Sequence, residues 1–118
     1  MVDDDPVLIK SLQDTLQEDG HLITVTHGGR EGIEAFAAAM RRGERFDVVV
    51  TDLGMPHVDG RKVAAAVKDI SPRTPVILLT GWGQRLISTN DAPAHVNKVL
   101  AKPPRLHELR AAFLELIA

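Results

Sequence analysis

The chain has 118 residues, 44% of them hydrophobic and 25% charged, with a formal net charge of −2 at pH 7. These values indicate one globular domain with a single core, and they give no electrostatic footprint for nucleic acid or an anionic membrane. The absence of cysteine excludes disulfides and thiolate metal sites. No apolar run approaches the roughly 20 residues of a membrane-spanning helix, and no signal peptide is visible.

The first predicted helix begins at Pro6, directly after three aspartates. Asp5 followed by proline is typical of an N-cap and the first helical residue. Apolar residues on one face of this helix are Ile9, Leu12 and Leu16. If a strand precedes the helix, the sequence holds only its last two residues, Met1 and Val2, so we expect a first strand that is clipped at its N-terminus.

A second strand and a second helix are predicted next. Residues His21–Thr26 alternate like a strand, with Leu22 or Ile23 packed inward. Gly28-Gly29 breaks the chain, and a helix follows it. Its apolar residues recur with helical spacing at Ile33, Phe36, Ala37 and Met40.

The central feature of the sequence is the run Val48-Val49-Val50 and the aspartate that follows it. Three β-branched residues in a row are typical of a strand that is buried on both faces. Glycines and a proline between residues 54 and 60 then predict a loop. Asp52 is therefore expected at the carboxyl end of a central parallel strand, the edge where ligands bind in open α/β sheets.

The remaining elements continue the alternation of strands and helices. A third helix is predicted from Asp59 or Gly60, with Val63, Ala64, Val67 and Ile70 buried. Two further strands are expected at Val76–Thr80 and Val96–Ala101, separated by a weak fourth helix around residues 85–89. The last helix is predicted to bury Leu106, Leu109, Phe113 and Leu116. Five strand–helix units imply a parallel sheet with helices on both faces.

Polar residues stand at the ends of four predicted strands, and parallel strands bring those ends to one edge. They are Asp3 with Asp4, Asp52, Thr80 and Lys102. Three carboxylates packed together repel one another, and a hard divalent cation such as Mg²⁺ relieves that repulsion. A lysine and a hydroxyl opposite the metal leave room for a tetrahedral anion, and a carboxylate placed between them can attack phosphorus.

These residues resemble the receiver domain of bacterial two-component response regulators, from Val2 to the last helix. Four motifs occur in order: Asp3-Asp4, D-x-x-M-P-x-x-D-G over residues 52–60, Thr80 followed by Gly81, and Lys102-Pro103. Each motif is weak or moderately specific alone, whereas the ordered set is very specific. The resemblance implies a flavodoxin-like domain over residues 1–118, a doubly wound α/β fold with five parallel strands in the order 2-1-3-4-5.

The resemblance also implies the chemistry of the site. Asp52 is expected to accept a phosphoryl group from a histidine on a partner kinase or phosphotransfer protein. Mg²⁺, or Mn²⁺, is expected to bind Asp4, Asp52 and the backbone carbonyl of Gly54, with Asp3 acting largely through water. The domain is then no turnover enzyme, since it catalyses only its own phosphorylation and dephosphorylation.

The family pattern assigns the other site residues and shows where this chain departs from it. Lys102 pairs with the phosphoryl oxygens, Thr80 swings inward to bond them, and the Lys102-Pro103 peptide is commonly cis. Val99 stands where many receivers carry a switching aromatic residue. Gly54 and Trp82 occupy positions that tune dephosphorylation, and neither side chain can position a water, which predicts a long-lived aspartyl phosphate.

The resemblance implies a bacterial, cytoplasmic signalling protein that binds neither nucleic acid nor membrane directly. Its expected readout surface is the fourth helix, fifth strand and fifth helix, where Leu114 and Ile117 are candidates for contact with an effector domain or a second copy. Two alternatives are an interaction module that is not phosphorylated and a Mg²⁺-dependent phosphatase that uses an aspartyl phosphate. Gly54 disfavours the phosphatase, because such enzymes usually need a second carboxylate there. The chain is expected to be a stand-alone receiver, a domain of a longer regulator, or the terminal receiver of a hybrid kinase.

Overall fold

The computed structural model describes residues 1–55, 57–81 and 95–117. Its elements in chain order are α1 (Pro6–Glu18), α2 (Gly29–Arg41), β1 (Val49–Asp52), α3 (Gly60–Ile70), β2 (Val76–Thr80), β3 (Lys98–Ala101) and α4 (Leu106–Ile117). The helix predicted around residues 85–89 and the side chain of Trp82 lie outside the described residues. Within the described ranges, no helix has the length and hydropathy that crossing a bilayer requires.

The sheet is parallel, in the order β1-β2-β3. Val2 lies on the free side of β1, where it forms parallel bridges to both Thr51 and Thr26. The segments therefore follow one another in space as Thr26, Val2, β1, β2 and β3. Thr26 and Val2 mark the predicted second and first strands, and β1, β2 and β3 are the predicted third, fourth and fifth strands. The order is therefore the predicted 2-1-3-4-5, and the α/β fold with a parallel sheet is confirmed.

The prediction of a regular strand at His21–Thr26 is wrong. Of these residues, Thr26 alone forms a bridge. The physical reason is the length of its partner, because the segment beside it contributes only Met1 to Asp3. Of residues 21–25, Leu22 is 99% exposed, whereas Ile23 packs against the core.

The helices cover both faces of the sheet, as predicted. One cluster of buried residues joins Leu16 of α1 and Phe113 of α4 to Val50 of β1. The other joins Phe36 of α2 and Val63 of α3 to the neighbouring strand residue, Val49. Successive strand residues thus enter opposite halves of the core, which explains why the strands are apolar at every position.

Side-chain caps determine where two of the helices begin. Asp5 accepts hydrogen bonds from the backbone of Val7 and Leu8, at 3.1 and 3.2 Å. Asp59 caps α3 in the same way, with its shorter bond to Arg61 N at 2.9 Å. Each cap satisfies amide groups that have no partner within the helix, and each lies next to a strand end that carries an aspartate.

Three predictions about apolar residues have different outcomes. Ile70 was expected to be buried but is 39% exposed, at the last residue of α3. Leu106 and Leu116 are half-buried against the core. Leu114 and Ile117 are exposed, as a surface stripe requires.

Candidate functional site

The site is assembled from three segments that are distant in sequence. Asp3 follows Val2, Asp52 ends β1, and Lys102 follows β3. The Lys102 Nζ lies 3.2 Å from Asp3 Oδ1 and 3.1 Å from Asp52 Oδ2. One ammonium therefore bridges two carboxylates at the carboxyl edge of the sheet.

Asp4 completes an acidic group with these two residues. One carboxylate oxygen from each of Asp3, Asp4 and Asp52 lies within 4.8 Å of the others. Asp3 and Asp52 are 1% and 4% exposed, whereas Asp4 is exposed to solvent. The group thus has two buried carboxylates and one at the surface, so that an ion can reach it from solvent.

The buried carboxylate of Asp3 is incompletely satisfied. Its Oδ1 accepts hydrogen bonds from Asp5 N, at 2.9 Å, and from Lys102. Its Oδ2 is buried and has no hydrogen-bond partner among the described residues. Burial raises the pKa of Asp3, and repulsion from Asp52 adds to the rise against the opposing hydrogen bonds. A buried carboxylate oxygen without a hydrogen-bond partner, such as Asp3 Oδ2, can bind a cation.

Lys102 compensates the buried charge in part. Burial acts to lower the pKa of Lys102, but its hydrogen bonds to Asp52 and Asp3 outweigh burial, so that the pKa lies above its ordinary value. The backbone of Lys102 is held by a bond from its N–H to Thr80 O, at 3.0 Å. The Lys102-Pro103 peptide is cis, in agreement with the expectation from the motif.

The backbone around Asp52 is held by close packing. Asp52 Oδ1 accepts a bond from Gly54 N at 3.3 Å. A Cβ atom on Gly60 would collide with the Asp52 carbonyl oxygen, so glycine is required for α3 to begin this close to β1. Gly60 is the last residue of the D-x-x-M-P-x-x-D-G motif, and its contact with the Asp52 backbone is a tertiary approach that no local pattern signals.

Thr80 ends β2 beside these groups. It is 1% exposed and pairs in register with Ala101, one residue before Lys102. Val99, at the position of the family's aromatic residue, is buried in the same ladder. Strand pairing therefore places Thr80 at the same edge as Asp52 and Lys102.

The loop after Asp52 is anchored on both sides of its proline. Met55 is 5% exposed and packs into the core cluster of α2 and α3. His57 has a left-handed backbone with φ 66°, an exposed side chain, and a carbonyl that accepts a 3.3 Å bond from Lys62 Nζ. His57 thus shapes the loop through its backbone, and its ring faces solvent.

The donor set of this site fits magnesium. Mg²⁺ prefers oxygen ligands, keeps several waters, and is commonly held by one or two carboxylates. Asp3, Asp4 and Asp52 offer carboxylate oxygens of this kind, and the unpartnered Asp3 Oδ2 is the observation that calls for a cation. The other expected ligand is the backbone carbonyl oxygen of Gly54. This residue is exposed and lies two positions after Asp52.

Comparisons with known proteins agree with this geometry. The family model of the response regulator receiver domain matches residues 1–114. The transcriptional regulatory protein GlrR of Escherichia coli is 35% identical over 70% of this chain, which corresponds to 18% of GlrR. The transcriptional regulatory protein TcrA of Mycobacterium tuberculosis is 32% identical over 94% of this chain and 42% of TcrA. The chain thus spans less than half the length of either relative.

Solved structures show the same fold. The response regulator protein TrrA of Thermotoga maritima, crystallised with Mg²⁺–BeF, has a TM-score of 0.80 and 26% identity. The alignment covers 98% of this chain and 94% of TrrA. With the matched family model and the shared fold together, this chain belongs to the family of response regulator receiver domains.

Proposed function

We propose that Asp52 is the phosphoacceptor of this receiver and that it takes its phosphoryl group from a phosphohistidine in a Mg²⁺-dependent reaction. One observation supports this most directly: Lys102 Nζ bridges Asp52 and Asp3 while the second oxygen of Asp3 has no partner. The Lys102 ammonium can therefore pair with the transferred phosphoryl group. The unpartnered Asp3 oxygen, beside Asp52, supports the binding of a metal ion there.

The transfer exchanges one bond to phosphorus for another. An oxygen of Asp52 attacks phosphorus, the P–N bond to the donor imidazole breaks, and the imidazole keeps the bonding electron pair. Asp4, Asp52 and the Gly54 carbonyl would hold Mg²⁺, whose positive charge would offset the acidic group and the phosphoryl oxygens. Such a reaction depends mainly on positioning and electrostatic stabilisation, which the strand-end residues provide.

The remaining site residues hold the product. Phosphorylation turns one negative charge on Asp52 into about two and adds strong acceptor oxygens. Lys102 then exchanges its bond to Asp52 for bonds to the phosphoryl group, and the Thr80 hydroxyl donates to the same oxygens. Because these bonds exist only in the phosphorylated form, they favour the arrangement of Thr80 and Lys102 in which both contact the phosphoryl group.

The partners follow from this chemistry and from the family. The phosphodonor is a histidine kinase or a histidine phosphotransfer protein in the cytoplasm. The readout surface includes β3 and α4, where Leu114 is 75% exposed and is available to an effector domain or a second copy. Lys98 and Glu115 form an ion pair of 2.7 Å that joins β3 to α4 across this surface.

The experiment is labelling with acetyl phosphate in the presence of Mg²⁺, followed by intact-protein mass spectrometry. We expect one added phosphoryl group on the native chain and none on Asp52→Asn. Asp69→Asn is the matched control, because Asp69 is an exposed carboxylate of α3 outside the site. Labelling that persists in Asp52→Asn, or that proceeds equally in excess EDTA, would contradict the proposal.

A further inference from the structure

The loop that follows Asp52 carries the expected carbonyl ligand of the metal, Gly54. Gly54 N donates to Asp52 Oδ1 at 3.3 Å, slightly beyond the usual range for a bond of this kind. Gly54 is exposed, and no atom of the described residues lies within 4 Å of a Cβ atom built on it. The position of its carbonyl oxygen is therefore determined by the residues that anchor the loop on either side.

Backbone hydrogen bonds anchor the two ends of this loop. Leu53 N donates to Leu79 O at 2.8 Å, which joins the beginning of the loop to β2. Gly60 N donates to Leu53 O at 3.1 Å, which closes the loop at the beginning of α3. These bonds fix the ends of the loop, whereas its middle has to be held by another part of the fold.

The middle of the loop packs against the beginning of α2. Gly29 is the first residue of this helix and is buried. A Cβ atom on Gly29 would overlap the Val58 carbonyl oxygen and would lie 2.9 Å from Val58 Cγ1. Met55 and Val58 also pack into the core cluster that contains Phe36 of α2. The backbone of the loop therefore lies directly on the backbone of α2, at a distance that only glycine allows.

The neighbouring glycine has a different environment. The atoms nearest to a Cβ atom built on Gly28 belong to the carboxylate of Glu31, an exposed side chain that can rotate away. Gly28 has a φ of −159°, an extended backbone that any residue adopts. The close approach to the loop is thus specific to Gly29, and Gly28 provides a matched control.

We propose that Gly29 is a positioning residue for the metal site, because its contact with Val58 holds the loop where the Gly54 carbonyl can bind Mg²⁺. This inference rests on the proposed function, which assigns Mg²⁺ to Asp4, Asp52 and Gly54. Gly29 supplies no ligand and acts through the Val58 backbone. Because coupling between two segments is reciprocal, a metal ion that orders the loop also stabilises the first turn of α2.

The first experiment is calorimetric titration of Mg²⁺ into the native chain and three variants, Gly29→Ala, Gly28→Ala and Ile77→Val. Gly29→Ala should bind Mg²⁺ at least about tenfold more weakly, because its Cβ atom displaces the Val58 carbonyl. Gly28→Ala should stay within about twofold of the native affinity. Ile77 is buried in the core cluster of α1 and α4, so Ile77→Val should lower the melting temperature and leave the Mg²⁺ affinity within about twofold.

The Mg²⁺ affinities and the melting temperatures together distinguish a positioning role from a purely structural one. A Gly29→Ala protein that melts at a lower temperature but binds Mg²⁺ as tightly as the native chain would overturn the proposal. An equal loss of Mg²⁺ affinity in Ile77→Val would also overturn it, because metal affinity would then follow stability alone. If the native chain itself bound no Mg²⁺, the proposed function would fail, and this inference would fail with it.

Amide hydrogen exchange of the native chain tests the same contact without a substitution. Gly32 N donates to Gly28 O at 2.9 Å in the first turn of α2, and Arg42 N donates to Ala38 O at 3.1 Å at the other end of this helix. We expect saturating Mg²⁺ to slow exchange at the Gly32 amide at least about threefold, and at the Arg42 amide by less than about half as much. Slowing at Gly32 that is no larger than the slowing at Arg42 would overturn the proposal.

Discussion

Replacing Asp3 by asparagine should stabilise the metal-free protein. Asp3 is 1% exposed, and its Oδ2 has no partner. Asparagine keeps the acceptor for Asp5 N and removes a negative charge from a group in which Lys102 still has Asp52 as its partner. The asparagine amide group that replaces Oδ2 also has no partner there, but a buried neutral group costs less than a buried charge that Asp52 repels, so we expect a gain of about 1–2 kcal/mol in the free energy of unfolding.

The pH dependence of this gain is determined by the direction of the Asp3 pKa shift. The folded-state pKa of Asp3 is raised above its ordinary value of 3.8. Protonation of Asp3 therefore favours the folded state. This contribution to the free energy of unfolding is fully present below pH 3.8 and is lost as the pH rises through the folded-state pKa. The difference between Asp3→Asn and the native chain should accordingly be smallest in acid and grow until Asp3 is fully ionised.

The assay is urea unfolding of both forms in EDTA at a series of pH values, repeated with Mg²⁺. At pH 7.5 in EDTA the gain corresponds to about 4–8 °C in melting temperature. Mg²⁺ at a concentration of about ten times its dissociation constant should raise the free energy of unfolding of the native chain by about 1.4 kcal/mol, and that of Asp3→Asn by less. The matched control is Asp4→Asn, an exposed neighbour, whose stability in EDTA should change by less than about 0.5 kcal/mol. An Asp3→Asn protein less stable than the native chain in EDTA, or a gain independent of pH, would refute the reasoning.

Four further predictions concern the site. Lys102→Ala should slow acetyl phosphate labelling about a hundredfold or more while Mg²⁺ binding persists, because the cation that pairs with the transferred group is lost. Labelling rates and metal titrations measure the two effects separately, and an unchanged labelling rate would contradict the role of Lys102. Gly60→Ala should lower the free energy of unfolding by about 1–3 kcal/mol, because its Cβ meets the Asp52 carbonyl, whereas Gly54→Ala, which faces open space, should change it by less than about 0.5 kcal/mol in urea titrations. The fluorescence of Trp82, which follows the Thr80 strand closely in sequence, should respond to Mg²⁺ and to beryllofluoride; no response to either, with binding shown independently, would mean that Trp82 lies away from the site. The phosphorylated protein should lose its label slowly, because neither Gly54 nor Trp82 can position a water, and a measured half-life of seconds would contradict this.

Local sequence determined the beginnings of the elements and the composition of the core. Asp5 and Asp59 precede helices and cap them, because an aspartate side chain reaches amide groups two and three residues ahead. The valine run before Asp52 predicted a strand buried on both faces. The ordered motifs predicted the family, since each one marks the end of a different strand.

Only the tertiary structure decided how the strand ends meet. Lys102 contacts Asp3 and Asp52, which are separated from it by 99 and 50 positions in the sequence. No local pattern specifies which oxygens an ammonium group contacts at such separations. The same holds for the unpartnered Oδ2 of Asp3 and for the contact of Gly60 with the Asp52 backbone. The failure of the strand predicted at His21–Thr26 has a related cause, because a strand persists only where a neighbouring segment pairs with it, and that neighbour is defined by the fold of the whole chain.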